Sequence, residues 1–403
     1  MLGWLGAHLG IGLRGRFPGG PRPAPPERPP FGAQQTGGRR RGEAAAPCSG
    51  DTAGGAGVGV VGQIIGRGTT ARPGGPHAEV TALAQAGARA RGATLYVTLE
   101  PCNHYGRTPP CVDAILAAGI ARVVVAGGDP HPQVAGAGLA RLREAGIALT
   151  VGVEEDAAEL LNAGFLSLQR RGRPLVRLKL AASLDGRTAM ASGESQWITG
   201  PEARQDVQRW RARSPVLLTG VGTVLADDPR LTLRLAALPE LDATDRAALA
   251  ERPHHRVVLD RHLRTPPTAQ LFSAPGVVLF HGPEADPARA RALEEAGASL
   301  VALSAVEAEA PFDAVGAWCA ARNFGDVLLE CGPTLAAAAL SQNAVDEVLM
   351  YQAPLILGAD ARPLAGLTLA TLAEAKRFTL FEHRQIGTDL RLRLRYSADP
   401  TRS

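Results

Sequence analysis

The sequence predicts an α/β protein built as two domains, and three observations carry that expectation. Its 403 residues exceed what one hydrophobic core usually organises. From about residue 74 onward, short apolar runs of strand length alternate with helix-length segments, the pattern of sheets covered by helices. A polar stretch from Arg171 to Pro174 then separates two such series. The apolar content of 45% is ordinary for a globular chain, and no apolar run reaches the length of a membrane span.

Charge is distributed unevenly. The net charge is +4, but residues 1–42 hold seven Arg against one Glu, a balance of +6 that leaves −2 for the rest. A basic surplus outside any folded face, with aromatics at only 4%, argues against nucleic-acid binding. The five cysteines, Cys48, Cys102, Cys111, Cys319 and Cys331, are odd in number and widely spread. They suit a reducing, cytoplasmic setting with a metal site better than a disulfide framework. Cys319 and Cys331 read as small buried hydrophobes.

Residues 1–55 are rich in Gly, Pro, Arg and Ala, as in PGGPRPAPPERPP, and bury too little to fold alone. The first Ser is Ser49, so the segment lacks the Ser content of a transit peptide, and MLGWLGAHLGIGL lacks the basic start of a secretory signal. It is read as a disordered or misassigned, out-of-frame leader. AGVGVVGQIIGRG, residues 56–68, is expected as a hairpin. A helix is expected over 77–86, ATLYVTLE as a strand running into the loop PCNHYGRTPPC, and Cys111 at the start of the next helix, where the helix N-terminus favours a thiolate. RVVVAGG, LARLREAGI and ALTVGV follow as strand, helix and strand, and EEDAAELLNAGFLSLQRRGRP as one helix with a polar linker. The second series opens with PLVRLKLAASLDGRTA, in which Arg177 and Lys179 alternate with Leu178 and Leu180. SPVLLTGVGTVLADDPRLTLR gives strand, Gly-rich turn and acidic loop, RVVLD and GVVLF give short strands, and DVLLECGPTLAAAAL gives strand, Gly-Pro turn and helix. LRLRLRY alternates strictly, which predicts a strand with one solvated face.

Two places carry chemistry. His77 and Glu79 stand two apart at a helix start, and Cys102 and Cys111 follow about a strand later, each preceded by Pro. Three N and S ligands with one carboxylate suit a catalytic zinc, which uses three protein ligands and keeps a fourth position for water. His77, Cys102 and Cys111 are the expected ligands, and Glu79 the group that moves protons. H-x-E followed by P-C and a further Cys is the zinc-deaminase pattern, here with eight residues between the cysteines instead of two. In the second series, Glu330, Cys331, Gly332, Pro333 and Thr334 form a turn between a buried strand and a helix start. Such a turn can bind phosphate, although many hold no ligand. No GxGxxG lies in a strand-turn-helix setting, which argues against a Rossmann domain.

HAE with PCNHYGRTPPC, followed in order by LKLAASLDGRTA, ESQWITG, GVGTVLADDPRLTLR, LLECGPTLA and APLILG, resembles the bifunctional riboflavin-biosynthesis deaminase/reductase family from about Gly62 to the C-terminal strand. The resemblance implies a cytidine-deaminase-like three-layer α/β domain over residues 56–170 and a dihydrofolate-reductase-like α/β domain over 174–398. It implies zinc-dependent deamination of a diaminopyrimidinone ribosyl phosphate at C2, then NADPH-dependent reduction of the ribosyl group to ribityl. Carried over, Ala181, Trp197, Thr223 and Asp227, with Gly332, Pro333 and Thr334, would meet the cofactor. Ser195, Arg211, Leu231, Arg234 and Glu330 would meet the substrate in the second half, two arginines suiting a phosphate ester. His104 and Arg107 would meet its ribose phosphate in the first half. Asp129 also falls at a family substrate position, with His131 where Asn is usual. Lys179 and Glu330 are the candidate proton donors for the reduction, the other readings being a solvated strand face and a helix-capping carboxylate. The implied partner is a phosphorylated pyrimidine, with no nucleic acid and no membrane, in a homo-oligomer formed through the reductase half. The family's opening amphipathic helix and Asn-Pro turn are not readable here. A reductase-only chain, whose incomplete first sheet exposes an apolar edge, is therefore the alternative, and a zinc-stapled nucleic-acid module a remote one.

Overall fold

The structure is a computed structural model that describes residues 55–71, 74–131 and 134–397. The expected leader therefore lies, apart from Gly55, outside the described residues. The first series forms β1 (Gly55–Val60), β2 (Gln63–Thr69), α1 (Ala78–Ala86), β3 (Thr94–Leu99), α2 (Cys111–Ala117), β4 (Arg122–Gly127), α3 (Ala137–Glu144) and β5 (Ala148–Val151). Among the described residues these strands make a five-stranded sheet in the order β2-β1-β3-β4-β5. β3, β4 and β5 run parallel, and β1 is antiparallel to both of its neighbours. Val58, Leu95, Val97, Val123 and Val125 meet Ala82, Leu83, Ile115 and Leu142 in the core.

The expected hairpin forms as β1 and β2, and two of its glycines set the packing above it. A Cβ on Gly66 would lie 2.2 Å from the Ala82 carbonyl oxygen, and one on Gly68 2.0 Å from that of Ala78. The α1 backbone therefore rests directly on β2, an approach only Gly permits. The outer strand β2 is exposed at Gln63, Arg67 and Thr69, whereas Ile64 and Ile65 are half-buried, so the edge is not the apolar one expected of an incomplete sheet.

The single helix expected after β5 is two helices, α4 (Glu155–Leu161) and α5 (Ala163–Arg171). They break at Asn162, a buried residue whose Nδ2 donates to the Ala158 carbonyl at 3.1 Å. The break has a tertiary reason, since α4 packs on β4 of the first sheet while α5 packs on the first strand of the second.

That second series runs β6 (Leu175–Ala182), β7 (Arg187–Ala189), α6 (Pro201–Arg213), β8 (Val216–Gly220), α7 (Val221–Asp227), α8 (Ala243–Ala250), β9 (His255–Leu259), β10 (Val277–His281), α9 (Pro287–Glu295), β11 (Ala298–Ala302), α10 (Ala305–Glu309), α11 (Pro311–Ala320), β12 (Asp326–Glu330), α12 (Pro333–Ser341), β13 (Glu347–Gln352), β14 (Arg362–Pro363), β15 (Phe378–Ile386) and β16 (Asp389–Tyr396). Nine of these strands form one sheet among the described residues, in the order β11-β10-β9-β8-β12-β6-β13-β16-β15, and β7 pairs with β14. The strands from β11 to β13 are parallel, and β16 and β15 extend the sheet antiparallel. Both faces are covered. Val176, Leu178, Val216 and Leu329 pack with Phe312, Val315, Ala336 and Leu340 of α11 and α12, while Leu217, Leu328, Leu349 and Tyr351 pack with Val207 and Trp210 of α6.

This covering overturns the reading of β16 as a strand with one solvated face. Arg391 and Arg393 are only 5% and 7% exposed, whereas Leu390, Leu392 and Leu394 are half-buried. Arg391 donates to Asp206 Oδ2 at 2.8 Å and to Glu382, and Arg393 donates to Glu347 Oε1 at 2.8 Å and Glu382 Oε2 at 2.7 Å. Arg177 continues the chain of charges to Glu347 at 3.3 Å and to Asp326. Three of these guanidinium groups stand 4.8 to 5.6 Å from the centre of the Trp210 ring. A buried arginine with carboxylate partners and an aromatic face is tolerated where an unpaired one is not. The solvated-face reading of Lys179 fails likewise, because its side chain is half-buried beside Glu330.

Burial alone would raise the Glu347 carboxyl, but Arg177 and Arg393 outweigh it and hold the group at about 2, against 4.5 when free. A carboxyl depressed on folding gives stability that is complete above the unfolded value and lost as pH falls through the folded one. The nine-stranded sheet is therefore expected to lose stability between pH 4.5 and about 2. Glu347→Ala, which leaves buried arginines short of a partner, should lower the unfolding free energy by about 3–5 kcal/mol in urea titrations. A loss below about 1 kcal/mol would mean that the arginines find other partners.

Candidate functional site

The first site gathers side chains from three elements. His77 caps α1 in extended conformation, Cys102 follows the end of β3 by three residues, and Cys111 is the first residue of α2. His77 Nδ1 lies 3.2 Å from Cys111 Sγ and 3.5 Å from Cys102 Sγ, and the three ligand atoms all fall within 4.8 Å of one another. A tetrahedral zinc with ordinary Zn–N and Zn–S bonds places such atoms about 3.5 Å apart, so the donor set fits the ion. The Cys111 N–H donates to Cys102 Sγ at 3.3 Å. The hydrogen bond between the two thiols lowers Cys102 and, with burial, pushes Cys111 up, so the pair favours a thiolate on Cys102. Glu79, in the first turn of α1, is 8% exposed, and burial raises its carboxyl. A carboxyl raised in this way is suited to taking up and releasing a proton.

Glu100, just before Pro101 and Cys102, went unrecognised in the sequence. Its carboxylate accepts the N–H groups of Gly136, Gly138 and Leu139 at 3.0 to 3.2 Å and so caps α3. A Cβ on Gly138 would stand 2.0 Å from the Pro101 carbonyl oxygen. The strand end that presents Cys102 is thereby clamped to α3. The glycines of VAGAG were the available signal, but their partner lies 38 residues away for Gly138. At the rim, the His104 and His131 rings lie near-parallel with centres 6.0 Å apart, and Asp129 Oδ1 accepts the His131 N–H at 2.8 Å. Burial raises the Asp129 carboxyl. Arg107 stands exposed on the same loop.

The second site lies at the carboxyl ends of β6, β8 and β12, where open α/β sheets bind their ligands. Lys179 and Glu330 are register partners on β6 and β12. Arg211 of α6 donates through Nε and Nη2 to the two Glu330 oxygens at 2.7 and 3.0 Å, and through Nη1 to the Thr232 carbonyl at 3.1 Å. Burial favours a protonated Glu330, but Arg211 outweighs it and keeps the carboxyl below its usual range. That ion pair removes Glu330 from the proton donors and fills the Arg211 fork expected for a phosphate. The Lys179 pKa is lowered too, because burial lowers it more than Glu330 raises it.

Around these groups, Gly332 caps α12 with Pro333 in its first turn, and Gly332 and Thr334 are exposed. A Cβ on Gly332, or on Gly222 in α7, would meet nothing within 4 Å, so both turns leave open space beside the backbone. That opening and the helix start suit a phosphate-bearing nicotinamide cofactor. Thr223 and the exposed Asp227 share α7. Ala181 and the buried Leu231 pack with Trp210 and Tyr351, and Ser195 is half-buried. Trp197 is 66% exposed under the Arg204 guanidinium, 4.3 Å from its carbon. Arg234 is exposed, with its N–H donated to Gln208 Oε1 at 2.9 Å.

The family described as the RibD C-terminal domain matches residues 174–392, and the cytidine and deoxycytidylate deaminase zinc-binding region matches residues 40–127. The riboflavin biosynthesis protein RibD of Escherichia coli K12 is 47% identical over 339 residues, covering 83% of this chain and 90% of that relative. Among solved structures, Acinetobacter baumannii RibD, form 1, has 43% identity and a TM-score of 0.74, covering 85% of this chain and 92% of its own. The Thermotoga maritima diaminohydroxyphosphoribosylaminopyrimidine deaminase/5-amino-6-(5-phosphoribosylamino)uracil reductase has 31% identity and a TM-score of 0.73, covering 88% and 95%.

Because α1 carries His77 and Glu79 and rests on Gly68, Gly68→Val is expected to weaken zinc retention about tenfold or more, read as zinc content after dialysis against a chelator. Unchanged retention would mean that the hairpin does not set the ligand geometry.

Proposed function

The chain belongs to the RibD family of bifunctional riboflavin-biosynthesis enzymes, and from that premise we propose how its residues divide the work. Its deaminase and reductase activities use Zn2+ and NADPH. The convergence of His77 Nδ1 with two cysteine sulfurs beside a buried Glu79 is the observation that carries the reading. It supports a working deaminase over residues 56–170 ahead of a reductase over 174–398, in preference to a reductase-only chain.

His77, Cys102 and Cys111 would hold the zinc, which when bound supplies a Lewis acid. Glu79 takes the proton from the attacking water and passes it to the amino group leaving C2 of the pyrimidinone. His104 and Arg107 bind the ribosyl phosphate, and Asp129 meets the substrate beside them. In the second half, Gly332, Pro333, Thr334, Thr223, Asp227, Ala181 and Trp197 would hold the NADPH, which supplies a hydride when bound. Lys179 delivers the proton at the ribose oxygen as C1 is reduced. Glu330, fixed by Arg211, accepts a hydrogen bond from a sugar hydroxyl, Ser195 and Leu231 line the same substrate, and the exposed Arg234 takes the phosphate. The substrate class is that named for the Thermotoga relative. No helix among the described residues is long and apolar enough to cross a membrane. A cytoplasmic homo-oligomer joined through the reductase half, acting on small molecules and not on nucleic acid, completes the reading.

Ammonia release from the diaminopyrimidinone ribosyl phosphate, with NADPH omitted, tests the first half. Glu79→Ala should retain zinc and lose about 10²- to 10⁴-fold in rate. Release at the wild-type rate in that variant would remove Glu79 from the mechanism. Supplying the deaminated substrate tests the second half. An acid must be protonated to act, so turnover should fall as pH rises through a Lys179 pKa lying below that of free lysine, 10.5. Lys179→Arg, which cannot release its proton, should abolish turnover, and a wild-type rate flat to pH 10.5 would exclude Lys179 as the donor.

A further inference from the structure

We propose that Arg256, with His254 beside it, forms a binding site for a small tetrahedral oxyanion such as orthophosphate at the amino end of β9. Arg256 is 2% exposed, yet its Nε and Nη1 are buried without a hydrogen-bond partner among the described residues. Nη2 alone is engaged, donating to the Ala274 carbonyl at 2.6 Å and to that of Pro275. His254 immediately precedes β9, and its imidazole is near enough to feel the Arg256 charge. Its ring nitrogens are also buried without a well-formed partner, as is the neighbouring Ser214 hydroxyl.

The charge balance points the same way. Burial lowers the Arg256 pKa with no carboxylate opposing it, and the charged groups acting on His254 are Arg252, His255 and Arg256, all basic. Arg252 donates to the last carbonyls of α6, at Ala212 (2.7 Å) and Arg213 (3.3 Å). A buried guanidinium with idle Nε and Nη1 donors, on separate edges, and no acid opposing its charge calls for an anionic acceptor. The site lies at the opposite end of the strands from Lys179 and Glu330, and it stands independently of the reaction assigned above.

Thermal melting of the full chain, titrated with orthophosphate at constant ionic strength, tests this. The melting temperature should rise saturably in the wild type, and in Arg256→Met the phosphate concentration for half the effect should increase at least tenfold. Without phosphate the variant should melt no lower than the wild type. Equal phosphate responses would overturn the proposal, since phosphate would then act only at the substrate sites. If the variant fails to fold, wild-type crystals grown with selenate decide. An anomalous peak within hydrogen-bond reach of Arg256 Nε or Nη1 supports the site, and ordered water there without the peak overturns it.

Discussion

A buried chain of alternating charges, running from Asp206 through Arg391, Glu382, Arg393, Glu347 and Arg177 to Asp326, is the interaction on which the larger half of the molecule depends. Its members come from α6, β16, β15, β13, β6 and β12, so it joins the antiparallel edge pair to the parallel sheet. Tyr351 adds a hydrogen bond to Asp206 at 2.7 Å. Burying charge is tolerable only when every charge has a partner, and this condition fixes the register of β16 and the seat of α6 together. α6 in turn carries Arg211 to Glu330. The reductase crevice is thus placed by electrostatics in a layer where a hydrophobic contact alone would allow sliding.

The first sheet solves its problem by close approach. Gly66 and Gly68 let α1 rest on β2, and Gly138 lets α3 rest against Pro101. The metal ligands come from the start of one helix, the loop after a strand and the start of a second helix, and a tetrahedral ion tolerates little error in their separation. The backbone contacts at the three glycines and the Glu100 cap hold those parts in place.

In the second site, pairing determines role. Lys179 and Glu330 are neighbours in the same crevice, and sequence offers both as acids. Arg211 takes both oxygens of Glu330 and keeps it ionised, while burial loosens the proton on Lys179. Both pKa values are lowered, which leaves Glu330 a charged anchor and Lys179 a readier acid, and so divides the work between them.

The zinc ligands and Glu79 were legible in the sequence, because residue type and local spacing carry that chemistry: HAE at a helix start, then PC and PPC around one loop. The strands and helices of the first series were legible for the same local reason, apart from the helix break at Asn162, which answers to two different sheets. In the second series only some strands and α12 were; α6, α8 to α11, β11, β13 and β15 were not read, and the Gly-rich turn and acidic loop expected after β8 is helix α7. What the sequence could not decide was which faces are buried and which charges meet. LRLRLRY reads as leucines inward and arginines in water, and the fold buries the arginines, because carboxylates on β13, β15 and α6 await them. Arg211 and Glu330 stand 119 residues apart, and no local pattern joins them. Metal-ligand identity is a property of side chains near one another along the chain. Burial and the pairing of charges are properties of neighbours in space, and only the tertiary structure chooses those.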